Sequence, residues 1–412
     1  MKRALPISIF STLVLISFSS AQAQHDRFAY AVTDVTKEGS GWNALRKLDL
    51  QTGAYSSFFF DGTDQKTEAY DAVNKKKVAV KEDSRYGLYF QAPFSTGVAA
   101  MAYDKKHDRL YFTPMFIDQL RYLDLKTMKL YEVTDEAFTG LGTMHNDEAK
   151  CVTRMVIAPD GTGYALTNDA NNFVRFSTGK KPSITSMGAL VDDPANKNIS
   201  VHNRCTSFGG DMVADDAGNL YILSARNQVF KVNTNTKVAT HLGPITNLPP
   251  AFTVNGAVVD ADGSLLVCSA VDASSYYIVD ATTWKALPYQ MSGDVYRASD
   301  LANSNYLNFS KESPSRETVV ARRSIGNNIQ LYPNPVVGRQ LTFQFSKVPV
   351  GDYLLQITDA MGRKVEERKL VIQSESETQN VPLTASHANG FYLVKIWSSN
   401  KKSVFEQKVM IQ

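Results

Sequence analysis

Two stretches of the chain repeat one order of reactive side chains. Met144-His145-Asn146-Asp147-Glu148-Ala149-Lys150-Cys151 leads into the run TRMVIAPDG, and Val201-His202-Asn203-Arg204-Cys205 leads into FGGDMVADD. Each runs His-Asn, then Cys, then a small apolar strand. Imidazole suits metal ligation and proton transfer alike. His145 and His202 are candidates for either role, and hydrogen bonding to loop backbone is the preferred reading of both. No Asp/Glu/His spacing completes a recognised metal site. Cys151 and Cys205 hold matching places in neighbouring units, where the ~4–7 Å Cα separation of a disulfide is within reach. A Cys151–Cys205 bond is therefore expected, while Cys268 inside LLVCS reads as a buried strand residue.

Aligning the units by their turns puts Arg154, Asp211 and Gly256 at equivalent positions, with Asp300 joining them. These positions are expected to line the mouth of a central channel. Charge there needs partners, because an unpaired buried charge is costly. The preferred reading is an Arg154–Asp211 ion pair holding adjacent units. The other is a ligand or cation site, with calcium as the candidate ion and Asn255 and His202 nearby. No other cofactor is called for. Gly-x-Ser-x-Gly, His-Glu-x-x-His and phosphate-loop patterns are missing from the sequence. The acidic turns Asp215-Asp216 and Asp260-Ala261-Asp262 do not match an EF-hand loop.

The elements that carry these residues follow one grammar, clearest at 208–245: FGGDMVADDAGNLYILSARNQVFKVNTNTKVATHLGPI. A small apolar strand is followed by a tight turn, a bulkier strand and two more strands. Similar copies run over 97–133, 151–188 and 253–287. The third and fourth strands meet at Asp124-Leu125-Lys126-Thr127, Asn233-Thr234-Asn235-Thr236 or Asp280-Ala281-Thr282-Thr283. Alternation is of period two, with no sustained helical period. A four-stranded repeat of this length is the signature of a β-propeller. Segment 28–61 lacks its first strand and segment 295–309 never finishes its unit, so the two are expected to complete one blade together. That gives five blades, or six if the irregular stretch 62–96 supplies another.

The ends of the chain read differently. Residues 1–23 have the charged start, apolar core and Ala21-Gln22-Ala23 box of a signal peptide. The propeller is expected over 24–309 and a polar linker over 310–328. Lys+Arg 44 against Asp+Glu 41 gives a net charge of +3, too even for a nucleic-acid partner. Residues 329–412 alternate apolar and polar over about seven short runs, the pattern of a small immunoglobulin-like β-sandwich.

That last segment carries an ordered set of motifs. Tyr332-Pro333-Asn334-Pro335 opens it, followed by Gly351-x-Tyr353, Asp359-x-x-Gly362 and Gly390-x-Tyr392-x-Val394, and it ends on Lys408-Val409-Met410-Ile411. In combination these resemble the type A C-terminal sorting domain of the type IX secretion system. The resemblance implies Sec export, folding in the periplasm and passage through the type IX machinery. It also implies removal of the tail and attachment of the cargo to surface lipopolysaccharide. The whole chain then reads as an exported all-β protein: a five- or six-bladed propeller as cargo and a sandwich as its address. The first functional reading is a surface binding module for a glycan, peptide or protein. The second resembles lactonase-type propellers, with Asp211, Asn255, Asp300 and His202 as cation ligands. A purely structural surface component is the third.

Overall fold

The computed structural model describes residues 26–79, 92–133, 138–141, 147–289, 293–309, 328–336, 339–346, 348–359, 362–374, 376–384, 388–399 and 403–411. The expected signal peptide, His145 and nearly all of the expected linker lie outside them. The described chain is all-β, with one four-residue helix, Arg204–Ser207, and short 3-10 turns.

Among the described residues five sheets precede the tail, each with its inner strand at one end of the hydrogen-bonded order. Sheet I starts at Val98–Asp104, sheet II at Val152–Ile157, sheet III at Asp211–Ala214 and sheet IV at Gly256–Val259. Sheet V is composite. Its inner strand Ala298–Ala302 pairs with Phe28–Thr33 from the other end of the chain, as Tyr30↔Ala302 and Val32↔Asp300. Ala44–Asp49 and Phe60–Asp61 complete it. The inner strands touch in cyclic order, I to II to III to IV to V and back to I. An apolar core fills each junction, the last joining Tyr30, Val32 and Leu45 of sheet V to Val98, Leu110 and Phe112 of sheet I.

The residue types explain this layout. Inner strands such as GAVV and DMVA are small and buried throughout because they are enclosed on every side. A Cβ on Gly256 would stand 2.8 Å from the backbone nitrogen of Leu301, so only glycine lets strand IV lie this close to strand V. Second strands such as LYIL and LLVC are also wholly buried, since both faces meet neighbouring sheets. A recurrent turn closes the third strand onto the fourth. Asp124, Asn233 and Asp280 each accept backbone N–H bonds from residues two or three further on. Asp49 does the same in sheet V.

The stretch 62–96 does not supply a sixth sheet among its described residues. Ala69–Asp71 instead joins sheet I as a fifth, outermost strand, parallel to Lys129–Glu132. Val191–Asp192 adds to sheet III in the same way.

The tail has two sheets. One orders Ile329–Tyr332, Gln340–Ser346 and Ser376–Pro382; the other orders Lys364–Ile372, Gly351–Asp359, Gly390–Ser398 and Ser403–Ile411. Their inward residues, among them Phe343, Leu355, Ile357, Val394 and Ile396, form one core.

Candidate functional site

Register places the four expected positions at one depth in their sheets. Arg154 faces Leu166, Asp211 faces Leu223, Gly256 faces Cys268 and Asp300 faces Val32 on the second strands. All three charged side chains are essentially inaccessible to solvent. They lie inside the ring of strands, not at an open mouth. Each reaches forward to the next inner strand. Arg154 donates to the carbonyls of Ser207, Gly209, Thr167 and Asn168, with Nη2–Gly209 O at 2.7 Å. Asp211 accepts from Ala257 N of strand IV at 2.6 Å. Asp300 accepts from Met101 N of strand I.

The expected Arg154–Asp211 ion pair does not form. The Phe208-Gly209-Gly210 lead-in, with both glycines at positive φ, turns carbonyl oxygens toward the guanidinium. Burial pulls the Arg154 pKa down to about 10, partly offset by the charges of Asp169 and Asp211. Asp211 turns instead to Asp300 of strand V. Burial raises the Asp211 pKa to about 7, against the opposing pull of the Ala257 and Met212 N–H groups. Burial also lifts Asp300 well above the usual carboxylate range, and the Asp211 charge lifts it further. Asp300 Oδ1 has no hydrogen-bond partner in the bare geometry. One proton shared between the carboxyls satisfies it and removes the like-charge repulsion.

These donors do not fit a cation. Three of the four carboxylate oxygens already accept backbone N–H bonds, which present positive hydrogens where an ion would sit. Asn255 Oδ1 accepts from Thr253 Oγ1 at 2.7 Å and Ala270 N at 3.0 Å. Both ring nitrogens of His202 face carbonyls, Asp169 O at 2.7 Å and Leu190 O at 3.2 Å. Among the described residues no group of three or more His, Cys, Asp or Glu is placed to hold a metal ion. The central cavity measures about 20 Å³, room for about one water.

The expected Cys151–Cys205 disulfide is also not formed; all three cysteines are free. Cys151 is buried, with its thiol held by the Phe116 backbone and its pKa pushed up to about 11 by burial. Cys205 is exposed in the short helix, its N–H capped by Asn203 Oδ1 at 2.8 Å. That helix fills the lead-in of strand III and is what the sequence alignment of the two cysteines overlooks.

A cleft of about 710 Å³ opens between sheets I and II, at the ends of their inner strands. This is the face opposite the expected one. Its walls carry the turn Asp104-Lys105-Lys106-His107, the turn Pro159-Asp160-Gly161, and Arg175 and Thr185 from the outer strands of sheet II. Nothing in the repeat grammar marks these residues, because each sits where a surface turn is expected to be polar anyway.

The tail motifs resolve into contacts. Asn334 Nδ2 donates to Lys408 O at 3.0 Å, and its Oδ1 accepts from Met410 N at 3.0 Å. The opening Tyr332-Pro333-Asn334-Pro335 thus clamps the closing Lys408-Val409 strand, with Val336 N bonded to Met410 O. Gly351 and Gly390 start equivalent strands at positive φ, and Tyr353 and Tyr392 donate to the carbonyl four residues back. Asp359 and Gly362 form the turn between Gly351–Asp359 and Lys364–Ile372, with Gly362 at φ 79°.

Comparison with known proteins agrees with this part of the chain. Residues 330–412 match the family described as the secretion system C-terminal sorting domain. No curated protein matches the chain. Among solved structures, it is similar to PorZ, a surface component of the type IX secretion system of Porphyromonas gingivalis, at 15% identity and a TM-score of 0.34. That alignment covers 93% of this chain but 51% of PorZ, so the chain spans about half of its length. Virginiamycin B lyase from Staphylococcus aureus aligns at 11% identity and a TM-score of 0.32, over 77% of this chain and 85% of that one. The Malassezia sympodialis allergen Mala s 1 aligns at 10% identity and a TM-score of 0.33, over 75% and 91%. Likeness at this level assigns no activity. Residues 330–412 are a secretion-system C-terminal sorting domain, carried behind an upstream all-β domain and directing the chain to the cell surface or the extracellular space.

Proposed function

We propose that the chain is a type IX cargo whose five sheets form a five-bladed β-propeller over 24–309, acting as an extracellular binding module. A cleaved signal peptide at 1–23, a linker at 310–328 and an immunoglobulin-like sandwich at 329–412 complete this reading. The observation that carries it is the cleft of about 710 Å³ between sheets I and II. Its volume is in the ~300–1,000 Å³ range of small-ligand sites, and rigid sheets form its walls. The centre of the ring offers no such room. A lactonase-type cation site finds no support in the committed carboxylates of Asp211 and Asp300.

The test is a glycan and peptide array probed with the full chain and with Thr185→Trp. Thr185 is an exposed strand residue on the cleft wall, where an indole fits the strand and fills the opening. Binding should weaken at least about tenfold, the ~1.4 kcal/mol that a few lost contacts represent. Undiminished capture by Thr185→Trp would move the site elsewhere.

A further inference from the structure

The cleft's charges are unevenly engaged. Asp104 Oδ2 holds His107 Nδ1 at 2.6 Å, and Asp160 accepts from Thr162 N and Oγ1 at 2.9 and 3.0 Å. Lys105 is taken by the buried Asp26 at 2.7 Å. Lys106 and Arg175 are different. Both are exposed, they come from opposite walls, and neither forms an ion pair or hydrogen bond among the described residues. Lys106 lies in the turn that ends strand Val98–Asp104, and Arg175 lies in strand Phe173–Ser177. Lys106 and Arg175 thus stand as one unpaired cation on each wall, while the exposed Asp160 carboxylate, bonded only to the neutral Thr162, keeps its own charge.

The remaining lining is suited to polyols. Thr185 and Ser183 are exposed on the outer strand side, and the phenol rings of Tyr103 and Tyr306 stand on the inner side. Tyr306 Oη already donates to Ala158 O at 3.3 Å, which fixes its ring. The exposed hydroxyls of Ser183 and Thr185 match the hydroxyl-bearing edge of a sugar ring. An apolar ligand would leave the hydroxyls and both cations without partners, which is unfavourable.

We propose that this cleft binds an anionic saccharide, with its acid group between Lys106 and Arg175. The proposal rests on the reading of the propeller as a binding module at this cleft. Arg supplies a fork that a carboxylate or a phosphate can meet in bidentate fashion, and Lys adds a point charge. Both cations are exposed, so binding weakens as salt rises.

The experiment is calorimetric titration of the full chain with three probes: an oligogalacturonate for the carboxylate, mannose 6-phosphate for the phosphate, and maltotriose as the neutral control. The expected result is binding of an acidic probe, with maltotriose at least about tenfold weaker, a loss each missing charged contact can account for. Lys106→Gln and Arg175→Gln should each weaken the acidic probe about tenfold. Which acidic probe binds identifies the acid group. Equal binding of maltotriose, abolished by Thr185→Trp, would overturn the anionic preference and leave the cleft reading intact. Acidic binding indifferent to Thr185→Trp, Lys106→Gln and Arg175→Gln would overturn both. Binding of none of the three probes would overturn the anionic-saccharide proposal, while the array decides the module reading separately.

Discussion

Asp211 and Asp300 are two carboxyls in a dry interior that share one proton, and this makes ring closure sensitive to pH. The unfolded chain releases that proton near the ordinary aspartate value of 3.8, whereas burial holds Asp211 up to about 7 and lifts Asp300 well above its ordinary value. The folded state therefore binds more protons between these values. The stability this pair contributes is fullest below about pH 4 and is lost as pH rises through 7, by about 1.4 kcal/mol per pH unit for one retained proton. Asp300→Asn should flatten this slope without abolishing it, since burial alone still raises Asp211. Its amide oxygen accepts from Met101 N as Asp300 does, while its NH₂ donates to an ionised Asp211. Urea unfolding at pH 5 and pH 8 checks the point: the loss between the two should shrink in the variant. Equal losses would show that the pair carries no proton.

The sequence aligned these four positions but not their pairings, for a physical reason. Turn spacing fixes depth along a strand. It does not say which neighbour a side chain meets. The close approach of strands IV and V at Gly256 lets Asp211 meet Asp300 rather than Arg154, and the carbonyls turned by Gly209-Gly210 occupy Arg154. Both depend on backbone approach between strands far apart in sequence. The cleft is hidden for a related reason: Lys106 and Arg175 look like ordinary surface charges until the sheets bring them to one opening.

At the scale of elements, what could be read was what is local. The Asp or Asn that starts the third-to-fourth turn in four of the five sheets bonds to its own next residues, so Asp124, Asn233 and Asp280 marked their turns in the sequence. The outer strands Ala69–Asp71 and Val191–Asp192 were not legible. Each precedes the sheet it joins and pairs in parallel with its last strand, a long-range choice with no local signal. They cover edges that would otherwise offer open backbone. In the tail, the two ends of the motif set form one element. Asn334 ties the opening motif to the final strand through Lys408 O and Met410 N. Asn334→Ala should cost about 1 kcal/mol locally, since these bonds lie near solvent. Hydrogen exchange at the Met410 amide should accelerate several-fold, while amides of Gly390–Ser398 stay protected. Unchanged protection at Met410 would mean that the strand ladder alone holds the terminus.

For the whole molecule, the ring cores and the tail core draw on separate stretches of the chain. Every ring core draws its residues from before residue 310, and the tail core draws only on residues from Ile329 onward. The ring also locks its own ends. Asp26 exchanges backbone and amide bonds with Asn305, accepts from Ser304, and pairs Phe28–Thr33 with Ala298–Ala302 behind it. Deleting 329–412 removes no residue of these ring cores, and the truncated chain should melt within about 2 °C of the full chain's ring transition, less than the shift from 1 kcal/mol in a domain of this size. Export is what it should lose. Cell fractionation should find the full chain outside and the truncated chain retained in the periplasm, folded and resistant to protease. A truncated chain that still reached the surface would show that the address lies in the ring. One that was retained but unfolded would show that the tail is part of the fold.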